Sequence, residues 1–533
     1  MASPQAPATH DEIEEASIHA IKRPNLDALP SSGNASRGAS RRGSGKIVTP
    51  TGALTPFYTS TEAHEAKPHA TKEALMTDVL RKYESMFTLT AQRMRIIVDA
   101  FEETLEKGLQ ENGQIVPMIP AFVFGWPTGK EVGDYLALDL GGTNLRVCLV
   151  TLLGGGKFEI TQSKYRITEE QKQMDGEKLF DFCAECLSSF IHSSMASGVL
   201  KEGQSIPMGF TFSYPCHQDR IDNGILIRWT KGWGSTNVEG HDVAEIFDRS
   251  LKKHNVSVKV TAIVNDTTGA LIASHYANPR TRVGVILGTG CNAAYMEKVG
   301  NIPKMKHLGI PDDELMAINC EWGAFDSFHH QVLPRTKYDI IIDQASNKPD
   351  EQSFEKCISG LYLGELLRLV LIELIDEGVL FLGQNTSKLE TPYSFETAYL
   401  SMMESDLTPE LITIVGIFAH FYQLETTLPE RQFFKAMAKL IGTRAARLAS
   451  CGMAALVRKS NVLDEGCSIG IDGSLYNMYP GFKERIHVGL EDILGEKGKN
   501  IVTHHAEDGS GLGSAIIAAM TKTRKDAGHF THL

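Results

Sequence analysis

The stretch DYLALDLGGTNLRVCLVTLL, residues 134–153, decides how the chain is read. It holds two β-rich runs, 135–142 and 145–153, parted by a glycine turn, and a third run, FEITQSKYRI at 158–167, follows after another. Asp139 stands at the end of the first run, Gly141, Gly142, Thr143 and Asn144 make the turn, and Arg146 opens the second run. Adjacent glycines let the backbone turn sharply and bring N–H groups toward an anion. An acid at a strand end can hold magnesium, directly or through water. Thr143 and Asn144 can donate to phosphate oxygens. A plain β-hairpin would need the glycines alone. The acid, two polar donors and an arginine beside them favour a phosphate loop.

Working outward, VGVILGTGCNAAY at 283–295 repeats the theme, with a β-branched strand ending in Gly288, Thr289 and Gly290. A third glycine turn, AEDGSGLGSAIIAAM at 506–520, enters an Ala/Ile-rich helix, where backbone N–H groups favour phosphate. Gly509 and Gly511 nearly satisfy the dinucleotide pattern, but Ser514 replaces its third glycine and only nineteen residues follow. That leaves no room for a βαβ unit, so a nicotinamide dehydrogenase is excluded. GASRRGSGKIVT, near the N-terminus, imitates a P-loop but has Ser40 where the first glycine belongs and Ile47 where magnesium needs a hydroxyl.

Between these turns the chain alternates strands with long helices, which predicts an α/β architecture of two related lobes around a cleft. Helical periodicity begins near Lys72, and Thr90 caps a second predicted helix. The expected domains are a Ser/Pro/Gly-rich disordered tail at 1–70, a helical segment at 71–130 on the large lobe, a small lobe at 131–267, a large lobe at 268–506 and a C-terminal helix at 507–533 returning to the small lobe. The tail carries Ser44 after Arg41-Arg42-Gly43, Thr49-Pro50 and Thr55-Pro56, strings that fit protein-kinase sites and also arise by chance in such a segment.

The net charge of -12 argues against a nucleic-acid binder, which needs a basic surface. Nine scattered cysteines include a single C-x-x-C pair, Cys183 and Cys186, which lies on a predicted amphipathic helix and reads as two core thiols rather than a metal site. The N-terminus has no apolar leader, and no run is read as a membrane span; the strongest candidate, 363–375, carries Glu365, Arg368 and Glu373 and is read as amphipathic. A cytoplasmic protein, monomeric or weakly dimeric and without a membrane anchor, is expected.

LALDLGGTNLRV, LGTGCNAAY, IGIDGSLYNMYPGFKER and EDGSG resemble the phosphate and adenosine motifs of eukaryotic hexokinases, and MGFTFSYPCHQDRIDNGILIRWTKGW resembles that family's sugar-binding signature. Similarity runs from about Tyr83 to about Thr521 and is greatest to the single-unit, fungal-type members. The resemblance implies a two-lobed actin-like ATPase fold with a ribonuclease H-like mixed sheet in each lobe. It implies sugar contacts from Ser213, Pro215, Thr230, Lys231, Asn265, Asp266, Asn292, Glu321 and Glu355. It implies ATP contacts from Asp139, Gly141, Gly142, Thr143, Asn144, Arg146, Gly288, Thr289, Gly290, Asp472, Gly473, Ser474, Ser510 and Gly511, with Mg2+ carried on ATP and held by Asp139 through water. Thr397 and Ser401, in ETAYLSMMESD, match less closely. One departure lies in the sugar loop, where SYP stands for the family's common SFP.

The residue types suit the chemistry. Carboxylates and amides can read several sugar hydroxyls together. The family mechanism implies Asp266 as general base toward the 6-hydroxyl of D-glucose, fructose or mannose, and Lys231 as a charge on the transferring phosphoryl group. Read without the resemblance, Asp266 fits an Asx turn after a strand and Lys231 a solvated turn charge. The expected activity is the first step of glycolysis. Other readings are a hexokinase-like sugar sensor with weak or no catalysis, a related kinase of glycerol, acetate or a sugar acid, and a scaffold or chaperone ATPase of the same fold.

Overall fold

The computed structural model describes residues 71–196, 206–229, 232–506 and 508–529. The expected tail with Ser44, Thr49 and Thr55, and the sugar-loop residues Thr230 and Lys231, lie outside them. Thirteen strands are described: β1 (Ile119–Phe124), β2 (Val132–Leu140), β3 (Asn144–Gly154), β4 (Lys157–Arg166), β5 (Ile206–Phe212), β6 (Cys216–His217), β7 (Ile225–Leu226), β8 (Val258–Val264), β9 (Thr281–Leu287), β10 (Cys291–Lys298), β11 (Leu315–Asn319), β12 (Cys467–Asp472) and β13 (Ile501–His505).

Side chains alternate across a strand, and in β2 and β3 that alternation separates two cores. Leu136, Leu138, Leu140, Leu145, Val147 and Leu149 face a cluster with the helix Gly176–Ala196, including Leu179, Phe180 and Cys183. Their neighbours Tyr135, Ala137, Cys148 and Val150 face the larger core, which also contains the helix Gly509–Asp526 through Leu512, Ala515 and Ile516. Each strand is therefore apolar on both faces, as a central strand must be. Cys183 and Cys186 are buried free thiols on the inner face of that first helix.

Both large sheets have one winding. In the five-stranded sheet, β2, β3 and β4 form an antiparallel meander, and β5 and β8 add in parallel on the free side of β2, giving the order β4-β3-β2-β5-β8. In the six-stranded sheet, β9, β10 and β11 repeat the meander, and β12 and β13 add in parallel beside β9. β1 extends its edge antiparallel to β11. The two β-turn-β strings at 134–153 and 283–295 thus occupy equivalent places in two sheets of ribonuclease H-like order.

The helix Asp266–Ala277 runs from the end of β8 to the start of β9, and ten consecutive residues of it, Thr267–Tyr276, are buried. It lies on the six-stranded sheet so closely that a Cβ on Gly284 would fall 2.6 Å from Leu271. The helix Gly509–Asp526 lies equally close to the other sheet, where a Cβ on Gly209 would fall 2.1 Å from the Ser514 carbonyl oxygen. The two helices cross backbone to backbone: a Cβ on Gly513 would sit 2.1 Å from the Gly269 carbonyl oxygen, and one on Gly269 would sit 2.5 Å from that of Gly509.

Three expectations are corrected. The segment 71–130 is not helical throughout: after the helices Lys72–Phe87 and Ala91–Gln110 it ends in β1. IPAFVF is β-rich, and its proline is tolerated because β1 is an edge strand with an irregular register between Pro120 and Phe124. The helix Gly360–Asp376 does not put all its charges in solvent. Glu365 and Arg368 are buried and paired at 2.6 Å, the carboxylate also taking the Tyr393 N–H and the guanidinium reaching the Leu389 carbonyl. Finally, the helix Leu428–Lys459 is long and apolar enough to cross a bilayer, but its most apolar 18-residue window is 83% buried inside the fold, and the helix contributes to the core of the larger lobe.

Two measurements check this architecture. Gly513→Ala places a methyl against backbone that cannot move aside, so a loss of about 1–3 kcal/mol in unfolding free energy is expected by denaturant titration; an unchanged midpoint would show that the crossing is loose. Glu373 supplies a pH test. Burial raises its pKa, but hydrogen bonds from Lys337, Lys82 and Tyr338 outweigh burial and bring it down to about 2. A depressed carboxylate pKa stabilises the fold above the ordinary value and ceases to as pH falls toward 2. Because both lysines are half exposed, Glu373→Gln is expected to cost about 1 kcal/mol at pH 7. Less than half of that difference should remain at pH 3; a gap independent of pH would contradict the assignment.

Candidate functional site

The first glycine turn is held by its neighbours on both sides. Gly141 N–H donates to the Asn144 carbonyl oxygen at 3.0 Å, and Thr143 accepts from Ile167 N–H at 2.9 Å. The Asn144 amide donates to the Thr143 hydroxyl at 2.7 Å. Together with Asp139, Arg146 and Lys164 this turn lines a concave pocket. Lys164 stands directly opposite Arg146 across the β3–β4 ladder.

Arg146 ties the turn to the C-terminal helix. Its guanidinium contacts Asp139 at 3.1 Å and Asp508 at 2.7 Å, and also reaches the Ser510 hydroxyl. Ser510 donates to Asp139 at 2.8 Å, and the Ser510 carbonyl oxygen takes the Thr211 hydroxyl at 2.7 Å. Asp508 caps the helix, accepting from Gly511 N–H at 3.3 Å from a left-handed backbone at φ 44°. Burial pushes the Asp139 carboxyl above the ordinary range, Arg146 and Ser510 pull it back, and the charge of Asp266 pushes it up again.

Asp266 is the first residue of the helix Asp266–Ala277, capped by the Asn265 side chain, which accepts from Thr267 N–H at 2.9 Å. Its carboxylate accepts from the Thr267 hydroxyl at 3.1 Å. Asp472 ends β12 in the second lobe. Burial raises its pKa, the Gly473 N–H lowers it, and Asp266 and Asp508 raise it. Asp139, Asp266, Asp472 and Asp508 thus come from four chain segments and gather close enough to feel one another's charge.

The second turn lies against the same cluster. Gly473, at φ 122°, is the residue on which close approach depends, since a Cβ there would meet the Leu287 carbonyl oxygen at 2.2 Å. The carbonyls of Gly288 and Thr289 are tied to Gly360 N–H at 2.8 Å and Leu361 N–H at 3.2 Å, while the Thr289 side chain is exposed. Ser474, also exposed, begins the short helix Ser474–Met478. Thr397 is used structurally, its hydroxyl bonded to Gly364 N–H and to the Gly360 carbonyl. The Ser401 hydroxyl donates to Met478 O at 3.2 Å.

An acid–amide network closes the large-lobe side. The Asn292 amide donates to Asn319 Oδ1 at 2.7 Å and to Glu321 Oε1 at 3.1 Å, and Asn319 donates to the same Glu321 oxygen at 2.9 Å. Glu321 N–H returns to Asn292 Oδ1 at 3.0 Å. Glu321 sits at φ 55°, a left-handed conformation that costs free energy and is retained where neighbours enforce it. Glu355 Oε2 accepts from Cys291 N–H at 2.9 Å, and a Cβ on Gly290 would fall 2.7 Å from the same oxygen. Ser213 and Pro215, at the end of β5, are half-buried, and the Pro215 carbonyl accepts Ile227 N–H at 2.9 Å.

Asp139, Asp266, Asp472, Gly473, Ser510 and Gly511 are therefore brought together around the two glycine turns, and Asn292, Glu321 and Glu355 around the start of β10. Sequence reasoning missed Lys164, Asp508, Asn319 and the Tyr214 hydroxyl. Asp508 had a signal, an acid immediately before a glycine-rich helix start. Lys164 had one in the meander register; Asn319 stood two residues before Glu321. The donors around Asp139 are all oxygens, and Asp139 Oδ2 takes both protein contacts, which leaves Oδ1 for a hard cation such as the magnesium of MgATP.

Comparison with known proteins identifies the family. The sequence pattern of the hexokinase family matches residues 79–276 and, in a second block, 282–520. Hexokinase-1 of Schizosaccharomyces pombe is 46% identical over 447 residues, 84% of this chain and 91% of that protein. Hexokinase-1 of Saccharomyces cerevisiae is 45% identical over 472 residues, 86% of this chain and 96% of its own. A solved hexokinase from Schistosoma mansoni, complexed with glucose, superposes with a TM-score of 0.75 at 35% identity, covering 84% of this chain and 99% of that one. The fold is the two-lobed actin-like ATPase fold, and the chain belongs to the hexokinase family.

Proposed function

We propose that this protein transfers the γ-phosphoryl group of ATP to the 6-hydroxyl of D-glucose, and also of fructose and mannose, as the first step of glycolysis. Membership of the family makes the chain an ATP-dependent sugar kinase; the substrates and the residue roles are the finer reading. The observation that carries it is the meeting of two unlike surfaces at the same ends of both sheets. One is a cluster of acids and glycine turns that suits a metal-bound polyphosphate. The other is a network of amides and acids that suits a polyol.

The charge balance supports MgATP rather than bare ATP. Among the described residues, four carboxylates face Arg146 and Lys164, and Arg146 is already shared between two of them. A polyphosphate anion would be repelled there unless it brought a cation, and Asp139 would hold that ion through water. Bound magnesium supplies charge neutralisation on the phosphates. The glycine turns and the helix start at Gly509 offer backbone N–H groups to the same oxygens.

On the sugar side, Glu321 and Glu355 present acceptors whose direction is fixed by hydrogen bonds from Asn292, Asn319 and Cys291 N–H. The reaction forms a bond from the sugar O6 to the γ-phosphorus and breaks that between the γ-phosphorus and the ADP oxygen. The O6 proton passes to the Asp266 carboxylate. Asp266 suits this task because it heads a buried helix within charge range of Asp139 and Asp472, and Asn265 and Thr267 fix its direction. Ser213, Pro215, Thr230 and Lys231 complete the sugar loop in this reading, with Lys231 on the transferring group.

Two substitutions test the roles. Asp266→Ala is expected to bind glucose within about threefold of the parent by calorimetry, yet to lose about 10³-fold in kcat in a coupled assay of ADP release. Turnover within tenfold of the parent would reject Asp266 as the base. Asn319→Ala removes one of the amide donors that direct Glu321; the KM for glucose should rise about tenfold while that for MgATP stays within about twofold. An equal rise in both would place Asn319 outside sugar recognition.

A further inference from the structure

We propose that Tyr214 is a positioning residue for the nucleotide: its hydroxyl pins the Gly141–Gly142 peptide so that Gly142 N–H faces the phosphate pocket. The inference rests on the kinase reading above and names a device that the reading does not require.

Tyr214 Oη donates to the Gly141 carbonyl oxygen at 3.1 Å. The bond joins the sugar loop after β5 to the first phosphate turn after β2, two loops that follow neighbouring parallel strands. The phenol is buried, with its ring centroid 4.8 Å from Phe212, 4.9 Å from Trp229 and 5.9 Å from Trp233. Such packing leaves the ring little freedom to leave its acceptor. Burial, with the charge of Asp139 adding to it, holds the phenol pKa far above its ordinary value, so the hydroxyl keeps its proton for donation.

A trans peptide is planar, with its C=O and N–H on opposite sides. Fixing the Gly141 oxygen toward Tyr214 therefore turns Gly142 N–H the other way, toward the pocket shared by Asp139, Arg146 and Lys164. Other parts of the turn are already fixed: Gly141 N–H by Asn144, and the Thr143 carbonyl by Ile167. Among the described residues Gly142 N–H has no protein acceptor. Glycine lacks the Cβ that would oppose a peptide flip, so two glycines in sequence are the place where such a flip costs least. The hydroxyl supplies the missing restraint. It also stands at the one position where the sugar loop departs from the family's SFP string, and phenylalanine there would leave the peptide unpinned.

Tyr214→Phe removes one oxygen and keeps the ring packing, so it isolates the bond. Isothermal titration with MgADP, adenosine and glucose, compared with wild type, decides the matter. Loss of one buried hydrogen bond predicts MgADP affinity about three- to tenfold weaker, and the KM for MgATP raised in parallel. Adenosine, which has no phosphate, and glucose should bind within about twofold of wild type, and the melting midpoint should move by no more than about 2 °C. Equal MgADP affinity in the two proteins would overturn the proposal, as would a matching loss of adenosine binding, which would reveal a general disturbance of the lobe. ADP release by wild-type protein on glucose and ATP tests the kinase reading separately. Its absence would remove that reading, while the contrast between MgADP and adenosine would still report on the loop.

Discussion

Two helices cross through their glycines, backbone against backbone with only the Ala270 methyl between them, and the arrangement of the site depends on that contact. Gly269 on one and Gly509 and Gly513 on the other permit an approach that any side chain would prevent. Each helix also lies against a different sheet, through Gly284 and Gly209. The crossing therefore sets how the two sheets face each other. It also brings the N-termini of both helices, with Asp266 and Asp508, to the same place. Backbone-to-backbone contact has little lateral friction because no side chains interdigitate. It suits a joint about which the two halves of an enzyme turn as rigid bodies.

Arg146 is the electrostatic counterpart of that joint. A cluster of four carboxylates is costly in a half-buried setting, and one guanidinium shared by Asp139 and Asp508 offsets part of the cost without saturating the group. In the proposed reading, the remaining negative charge favours a ligand that arrives with its own cation. Stability and recognition thus draw on the same charges. The acid–amide network is organised around Glu321, to which the amides of Asn292 and Asn319 both donate and which sits on a left-handed backbone.

Local chemistry in the sequence was enough to find the glycine turns, the strand that carries Asp139, the Thr90 cap and the strand that leads to Asp266. Those features depend on neighbours within a few residues, which is the range over which periodicity and turn chemistry operate. What escaped was partnership across the chain. Nothing near Arg146 announces that a helix more than three hundred residues away will bring Asp508 to it. Glu365 and Arg368 look like solvent-facing charges until the loop carrying Leu389 and Tyr393 covers them. β1 was hidden by Pro120, which argues against a strand except at an edge. The phenolic oxygen of Tyr214 reads as a small change of polarity in a string, and its acceptor is identified only by the fold.

The placement of the helix Gly509–Asp526 has a consequence for biosynthesis. The five-stranded sheet is built from residues between Val132 and Val264, but the helix that covers one of its faces follows every described strand of both sheets along the chain. As the ribosome releases the chain, β2, β3, β5 and β8 must wait with that apolar face uncovered while the whole six-stranded half is synthesised. The nascent protein is accordingly most exposed to aggregation and to chaperone capture during that interval. Its first half becomes fully native after its second, although it emerges first.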